Sequence, residues 1–199
     1  MPTNRFINLN KNKKTIIEHA LIKEMMRHPF EHMNISNIVS SAAISRGSFY
    51  QYFQNKHDFY FYILTTIANT KRSYIDFNYL EDSTQTFIHK IKHILEASIL
   101  FSKDNKQYVE IGLQMYASTH KDIKSYFEKA HQDMTNLLMK WLTLDPKYQN
   151  IKDKDIVVEY MSTSMIYLTQ YALKFNSINQ LESYFILFVK MLEGGIHNV

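Results

Sequence analysis

The stretch Ile44–Lys56, which reads ISRGSFYQYFQNK, carries the most specific pattern in the chain. Phe49 and Phe53 stand four residues apart, so on a helix they share one face and can be buried together. Asn55 is suited to cap a further helix that begins at Lys56. A short helix with a buried aromatic face and hydrogen-bonding side chains elsewhere suits the DNA major groove. The side chains predicted to face outward are Arg46, Ser48, Tyr50, Gln51 and Tyr52.

This stretch resembles the recognition helix of the TetR family of bacterial regulators, whose pattern is roughly Val-Ser-Arg-Gly-Ser-Phe-Tyr followed by Tyr or His, Phe and Lys. The resemblance covers about residues 12–64, and it includes upstream matches at Asn34, Ile35, Ile38, Ala42 and Ile44. It implies an all-α, TetR-like fold of about nine helices. An N-terminal three-helix helix-turn-helix domain would precede a C-terminal helical domain for ligand binding and dimerisation.

One position departs from the family pattern. The family normally has glycine where Ala43 stands, between the second helix and the recognition helix. If the turn needs a positive φ there, alanine is strained by about 1 kcal/mol or more. The turn is therefore expected to be slightly re-formed.

The resemblance also implies which residues contact DNA. Lys56, at a helix N-terminus, is expected to clamp a phosphate with its charge and with free backbone N–H groups. Arg46 is expected to read guanine and Gln51 to read adenine, while Gly47 lets the backbone approach closely. The full set of expected DNA-binding residues is Asn34, Ser45, Arg46, Gly47, Ser48, Tyr50, Gln51, Tyr52 and Lys56.

The charge of the chain is concentrated at its N-terminal end. The formal net charge is +4, and residues 1–60 hold eight Lys/Arg residues against four acidic ones. The remaining residues are balanced, so the entire positive excess lies beside the recognition helix. This distribution predicts that a polyanionic partner docks on the N-terminal segment.

Composition and motifs argue against other classes of protein. The chain has no cysteine, which excludes disulfides, thiolate metal sites and a cysteine nucleophile. No phosphate loop, dinucleotide fingerprint, HExxH sequence or nucleophile elbow is present, so we expect neither an enzyme nor a cofactor. His89 and His93 have helical metal-ligand spacing, but without a nearby carboxylate they predict a solvated face rather than a metal site.

Hydrophobic periodicity predicts the remaining organisation. Helices are expected over about residues 13–27, 35–42, 56–73, 83–99, 108–117, 121–144, 155–175 and 177–192, besides the recognition helix. Residues 4–12 read as a frayed arm and residues 76–82 as a loop. The expected domains are residues 1–56, which bind DNA, and residues 57–199, which bind ligand and dimerise.

The last two predicted helices are apolar on more than one face, so each needs partners on two sides. Either they pair with their copies across a two-fold axis, as the resemblance also implies, or both lie wholly inside the monomer. The expected dimerisation residues are Tyr171, Phe175, Tyr184, Phe185, Phe188 and Met191.

The family binds small molecules within its helical body, and methionine and tyrosine suit such a cavity. The expected ligand-binding residues are Met115, Tyr116, Met134, Leu138, Tyr160, Met161, Ser164 and Tyr167, although simple core packing explains any one of them. The effector is expected to be apolar or aromatic because the body carries few obvious buried charges.

The sequence thus predicts a homodimeric, ligand-responsive transcription repressor that binds a near-palindromic operator. Two alternatives stay open: a helical protein–protein adaptor, and a regulator without a small-molecule effector. The N-terminus lacks an apolar signal core and the chain lacks an apolar run that could span a bilayer, so a cytoplasmic location is expected.

Overall fold

The computed structural model describes residues 1–172 and 178–195. The described residues form eleven α-helices, two short 3-10 helices and no strands, which confirms the all-α prediction. None of the described helices is long and apolar enough to cross a bilayer. The helices are α1 (Asn4–Ile7), α2 (Lys11–Arg27), α3 (Ile35–Ser41), α4 (Arg46–Tyr52), α5 (Lys56–Arg72), α6 (Phe77–Glu81), α7 (Phe87–Asp104), α8 (Lys106–Ala117), α9 (Lys121–Leu144), α10 (Lys154–Ala172) and α11 (Ile178–Gly195).

The contacts divide the chain into two compact units. Unit 1 comprises residues 1–72 and 105–123, and unit 2 comprises residues 73–104 and 124–199. This division differs from a boundary after residue 56, because α5 and α8 both pack against α2 within unit 1.

Unit 1 is organised around α2, against which α3, α5 and α8 pack. The helix-turn-helix consists of α3 and α4, which contact each other. Ile17 and Leu21 of α2, Ile38 of α3 and Phe49 of α4 are fully buried, so one apolar core joins the three helices.

The N-terminal segment is folded, and the prediction of a frayed arm over residues 4–12 was wrong. Phe6 of α1 is fully buried. Its ring centroid lies 4.7 Å from that of Phe53 and 5.3 Å from that of Tyr62. The backbone N–H of Thr3 donates to the carbonyl of Tyr52 at 2.9 Å, and the Thr3 hydroxyl donates to the carbonyl of Gln51 at 2.7 Å. A single aromatic residue in a polar stretch therefore anchors this segment to the end of α4.

The turn between α3 and α4 has the geometry of a Schellman motif. The N–H of Ala43 donates to the carbonyl of Ser40 at 3.3 Å, and the N–H of Ile44 donates to the carbonyl of Val39 at 3.1 Å. Ala43 has a φ of +49°, the left-handed conformation that glycine adopts most easily. The positive φ on which the predicted strain depends is therefore present, and the strain itself stays a prediction. The hydrogen bonds of the turn are complete, so the expected re-formation of the turn is not observed.

Unit 2 has its own core, in which Ile91 of α7, Leu138 and Leu142 of α9, and Val158 and Met161 of α10 are fully buried. The helix α6 occupies most of the segment predicted as a loop. The Asp76 carboxylate caps α6 by accepting from the N–H groups of Asn78 and Tyr79. A helix this short is not marked by hydrophobic periodicity, so the capping residue is the main feature of the sequence that indicates it.

Candidate nucleic-acid interface

The helix α4 presents a polar face on an aromatic base, as its sequence predicts. Ser45 caps α4 because its Oγ accepts from the N–H of Ser48 at 3.0 Å. Phe49 is fully buried and packs against Phe59 of α5, with ring centroids 5.8 Å apart. The exposed residues of the helix are Arg46, Gly47, Tyr50 and Gln51, with Ser48 half-buried. These four exposed residues are neighbours on the surface of α4, and the buried Phe49 supports the helix from below.

Tyr52 does not face outward, which corrects its predicted orientation. Its side chain is 4% exposed, and its ring lies 6.0 Å from that of Phe6. The Nζ of Lys13, at the start of α2, lies 6.0 Å from the centroid of the Tyr52 ring. Because α1 covers this end of α4, the buried tyrosine supports the helix and a lysine stands beside it. The expected contact of Tyr52 with DNA stays a prediction.

Gly47 has no conformational reason to be glycine within the described structure. Its φ is not positive. A Cβ built on Gly47 would meet only Ser45 Oγ, at an ordinary distance of 3.8 Å. An alanine here would fit the folded chain, so any need for glycine has to come from a molecule outside it.

Asn34 caps α3 and is held in place by a buried acid that sequence reasoning missed. The Asn34 carboxamide oxygen accepts from the N–H of Ser36 at 2.8 Å. The Glu24 carboxylate, 4% exposed, accepts from the Asn34 N–H at 2.7 Å and from the Asn37 amide at 3.3 Å. The cap uses the carboxamide oxygen, so the carboxamide N–H groups are the donors that Asn34 can offer to a phosphate.

Lys56 is half-buried and already has partners in the free protein. Its Nζ donates to the backbone carbonyl of Glu31 at 3.3 Å and lies 4.8 Å from the centroid of the Phe30 ring. Asn55 caps α5, as predicted, by accepting from the N–H of Asp58 at 3.0 Å. The ammonium group of Lys56 has three N–H donors, so a phosphate contact is compatible with the hydrogen bond to Glu31. The first turn of α5 offers backbone N–H groups beside it.

Charge follows the two units. Unit 1 contains twelve Lys/Arg residues and six acidic ones, and unit 2 contains eleven and thirteen. The unit with the helix-turn-helix therefore carries a net charge of +6 and the other a net charge of −2, with His neutral. The asymmetry is larger than the +4 of the whole chain indicates.

The expected ligand-binding residues fall in different environments. Met115 and Tyr116 belong to unit 1, and the other six belong to unit 2. Leu138 and Met161 are fully buried in the core of unit 2, and Met134 packs against that core. Tyr160 and Tyr167 are exposed, Ser164 is half-buried, and Tyr160 borders a groove of about 630 Å³ with Met139 and Ile156. Their role in ligand binding stays a prediction.

The expected dimerisation residues are only partly described. Phe175 lies outside the described residues, and Tyr171 and Phe185 are described as helical backbone without their side chains. Phe188 packs against the core of unit 2, while Tyr184 and Met191 are exposed. Other large apolar side chains of α10 and α11 are also exposed: Ile156, Tyr160, Tyr167, Ile186 and Leu187.

A serine and a histidine meet in unit 2, but their geometry is not that of a catalytic triad. The Nε2 of His131 lies 2.8 Å from Ser162 Oγ and 3.7 Å from the Glu159 carboxylate. In a triad the acid binds the opposite ring nitrogen from the one that faces the serine. Ser162 is also fully buried, so a substrate could not reach its hydroxyl.

Comparison with known proteins agrees with the helix-turn-helix geometry of α3 and α4. Residues 17–63 match the model of the bacterial regulatory proteins, tetR family, which confirms the predicted resemblance for this segment. No curated protein matches the chain significantly.

Solved structures extend the similarity to the whole fold. A TetR family transcriptional regulator from Chloroflexus aurantiacus J-10-FL is 20% identical with a TM-score of 0.69, over 99% of this chain and 95% of that one. A TetR-like transcriptional regulator from Rhodococcus sp. RHA1 is 10% identical with a TM-score of 0.73, over 94% and 100%. At these identities the similarity establishes a TetR-like fold.

Proposed function

We propose that this chain, in which residues 17–63 form a TetR-family helix-turn-helix on a TetR-like fold, is a cytoplasmic transcription repressor that responds to a ligand. It binds a near-palindromic operator as a homodimer. The observation that carries the proposal is the polar face of α4, exposed on a buried aromatic base within the positively charged unit. A major-groove reader needs this combination of a rigid support, hydrogen-bonding side chains and positive charge.

The proposal divides the interface into readers and positioning residues. Arg46 and Gln51 are exposed and can reach base edges, where arginine favours guanine and glutamine favours adenine. Asn34, Ser45 and the first turn of α5 at Lys56 hold the backbone of the duplex. Positioning contacts set affinity and salt dependence, whereas base contacts set sequence preference.

The exposed apolar residues of α10 and α11 support the homodimer. Ile186, Leu187 and Met191 of α11 are each more than half exposed, and Ile156 and Tyr160 of α10 are more exposed still. Residues of this size are stabilised by leaving water, at roughly 25 cal/mol per Å² of buried apolar surface. Paired α10 and α11 helices from two subunits would form a four-helix bundle and place two copies of α4 on half-sites about one DNA turn apart.

The effector site is proposed from a groove in unit 2. The helices α7 and α11 border a groove of about 590 Å³ whose apolar wall includes Leu95, Ile99 and Val189. Three lysines line the groove, Lys92, Lys103 and Lys190, against one acid, Glu96, which pairs with Lys92 at 3.8 Å. The combination fits an effector with an apolar or aromatic body and a negatively charged group.

A ligand panel tests the effector proposal. A fitting carboxylate should raise the melting temperature of the protein and weaken its affinity for the operator, and Lys92→Ala should reduce both effects. Thermodynamic linkage requires that bound operator lower the affinity of the protein for the effector by the same factor. A ligand that raises the melting temperature and leaves operator affinity unchanged would contradict this mechanism.

Selection from a random duplex pool, followed by a salt titration, tests the central proposal. We expect an enriched near-palindrome with two half-sites and a steep fall of affinity with salt, about 0.9 log units per log unit of salt for each phosphate contact. If the protein is a helical adaptor, the selection should enrich no DNA sequence. That outcome would contradict the proposal, and the next experiment would be to capture a protein partner.

Two substitutions separate the expected roles. Lys56→Ala should weaken binding to all sequences alike and reduce the salt slope by about one phosphate contact. Gln51→Ala should change which sequence is preferred, with a discrimination loss of about 1–3 kcal/mol at one base pair. Lys140→Ala, at an exposed lysine of unit 2, is the control and should change neither quantity. Equal behaviour of the Lys56 and Gln51 variants would refute the division of roles.

Gly47→Ala tests whether DNA is the reason for the glycine. Because the folded chain has room for a methyl group there, the variant should be more stable by about 0.5–1 kcal/mol, as expected when alanine replaces glycine in a helix. It should also bind the selected operator more weakly, since the methyl group would hold the duplex away from α4. A variant that is more stable and binds DNA normally would show that α4 does not approach DNA through Gly47.

A further inference from the structure

Two histidines and an aspartate come together in unit 1 from separate parts of the chain. His57 lies in the first turn of α5, His120 directly precedes α9, and Asp122 lies in the first turn of α9. One possible ligand atom from each residue lies within 4.8 Å of the others. The Nδ1 of His57 is 3.2 Å from Oδ2 of Asp122, and the Nδ1 of His120 is 3.9 Å from the same oxygen.

The two imidazole rings are held in position by an aromatic neighbour. The ring of Phe30 meets the ring of His57 edge-on at 4.8 Å and that of His120 at 4.6 Å, and the two imidazole centroids are 5.0 Å apart. Phe30 itself is buried and packs against Tyr60 of α5. The rings therefore have a fixed wall behind them, which reduces the rearrangement needed to bind a ligand.

The segment that carries His120 is also anchored. The carboxylate of Glu31 accepts from the hydroxyl of Ser118 at 2.9 Å and from that of Thr119 at 3.1 Å. The Asp122 N–H donates to the Nδ1 of His120 at 3.3 Å, which orients this ring. An ion bound at Nδ1 would take the place of this hydrogen bond, with the proton of the neutral ring on Nε2. Hydrogen bonds from both sides thus fix the short connection between α8 and α9 beside the start of α5.

The chemistry of this group of side chains is that of a transition-metal site. Two imidazole nitrogens and one carboxylate oxygen form a donor set that binds zinc, with the fourth tetrahedral position open to water. Such nitrogen and oxygen donors select zinc, cobalt or nickel over magnesium and calcium, which prefer oxygen ligands alone. The three side chains are between a quarter and a half exposed, so an ion can reach them from solvent.

We propose that His57, His120 and Asp122 bind one divalent transition-metal ion, of which zinc fits the donor set best. The ion joins the first turn of α5 to the start of α9 within unit 1 and replaces the direct contact between His57 and Asp122. It stabilises the folded unit because the unfolded chain does not hold these three residues together.

The proposal is tested on the full chain, produced without a polyhistidine tag and freed of metal with a chelator that is then removed. Calorimetric titration with Zn²⁺ and absorbance titration with Co²⁺ should each give one ion per chain, and Co²⁺ should show the visible bands of tetrahedral coordination. Zn²⁺ should also raise the melting temperature, while Mg²⁺ should not.

Variants locate the site. His57→Ala, His120→Ala and Asp122→Asn should each lower Zn²⁺ affinity by about tenfold or more. His89→Ala is the matched control, because His89 is an exposed helical histidine of unit 2, and it should bind Zn²⁺ as the wild type does. Asp122→Asn retains the size of the side chain, so its circular dichroism and metal-free melting temperature separate loss of binding from loss of folding. Absence of stoichiometric binding, or affinities unchanged in all three variants, would overturn the proposal.

Discussion

Replacement of Ala43 by glycine tests whether the turn before α4 stores strain. Ala43 has a φ of +49° at the C′ position of α3. This conformation costs an L-residue about 1–2 kcal/mol. Glycine removes that cost. It also increases the conformational entropy of the unfolded chain, which offsets the gain in stability by about 0.5–1 kcal/mol. Ala43→Gly should therefore raise the free energy of unfolding by about 0.5–1 kcal/mol, or the melting temperature by roughly 1–4 °C for a chain of this length.

The neighbouring alanine supplies a matched control. Ala42 has a φ of −86° and is 4% exposed, so glycine at this position gains nothing from the turn and loses a buried methyl group. Ala42→Gly should lower the free energy of unfolding by about 1–2 kcal/mol. Urea unfolding of both variants, with an unchanged slope against urea, measures these differences. If Ala43→Gly destabilises the protein as Ala42→Gly does, then Ala43 is not strained and the account of the turn fails.

The remaining predictions concern the N-terminal segment and the carboxylate of Glu31. Phe6→Ala should lower the free energy of unfolding by about 3–5 kcal/mol, because Phe6 is fully buried; Ile7→Ala, at a position that is 54% exposed, should change it little, and equal effects would argue against a folded α1. Glu31 is partly desolvated, which opposes its ionisation, but hydrogen bonds from the backbone and from Ser118 and Thr119 lower its pKa to about 2 from 4.5. Its stabilising contribution is therefore present above about pH 4.5 and lost as pH falls toward 2, so the difference in unfolding free energy between wild type and Glu31→Gln should shrink over that interval in acid titrations. A difference that does not vary with pH would contradict the assignment.

Local features of the chain were well predicted. The buried pair Phe49 and Phe53, the caps at Asn34 and Asn55 and the turn at Ala43 all follow from residues within a few positions of one another. Helical spacing and capping are short-range properties, so a single sequence carries them in full. The left-handed conformation of Ala43 is a local feature of the same kind, since the turn is made by the residues around it.

Contacts between distant residues were missed. Tyr52 was expected to face outward because its own helix leaves that side free, but α1 covers it through Phe6 and Thr3. The first turn of α7 has two caps. Thr86 Oγ1 accepts from the N–H of His89 at 3.3 Å, which is a local pattern, whereas the Asp145 carboxylate accepts from the N–H of Phe87 at 2.7 Å across 58 residues, which no local pattern indicates. The helix begins at Phe87 rather than near residue 83, where the sequence analysis places its start.

The sequence by itself therefore determined the helix-turn-helix, most of the polar face of α4, the all-α class and the location of the positive charge. These depend on periodicity, capping and composition, which need no knowledge of how the chain folds back on itself. Only the tertiary structure decided that the N-terminal segment packs on α4, that Glu24 holds Asn34, and that His57 meets His120 and Asp122. Such groupings arise when separate helices are packed against one another, and the physical reason is that burial and side-chain pairing act through space rather than along the chain.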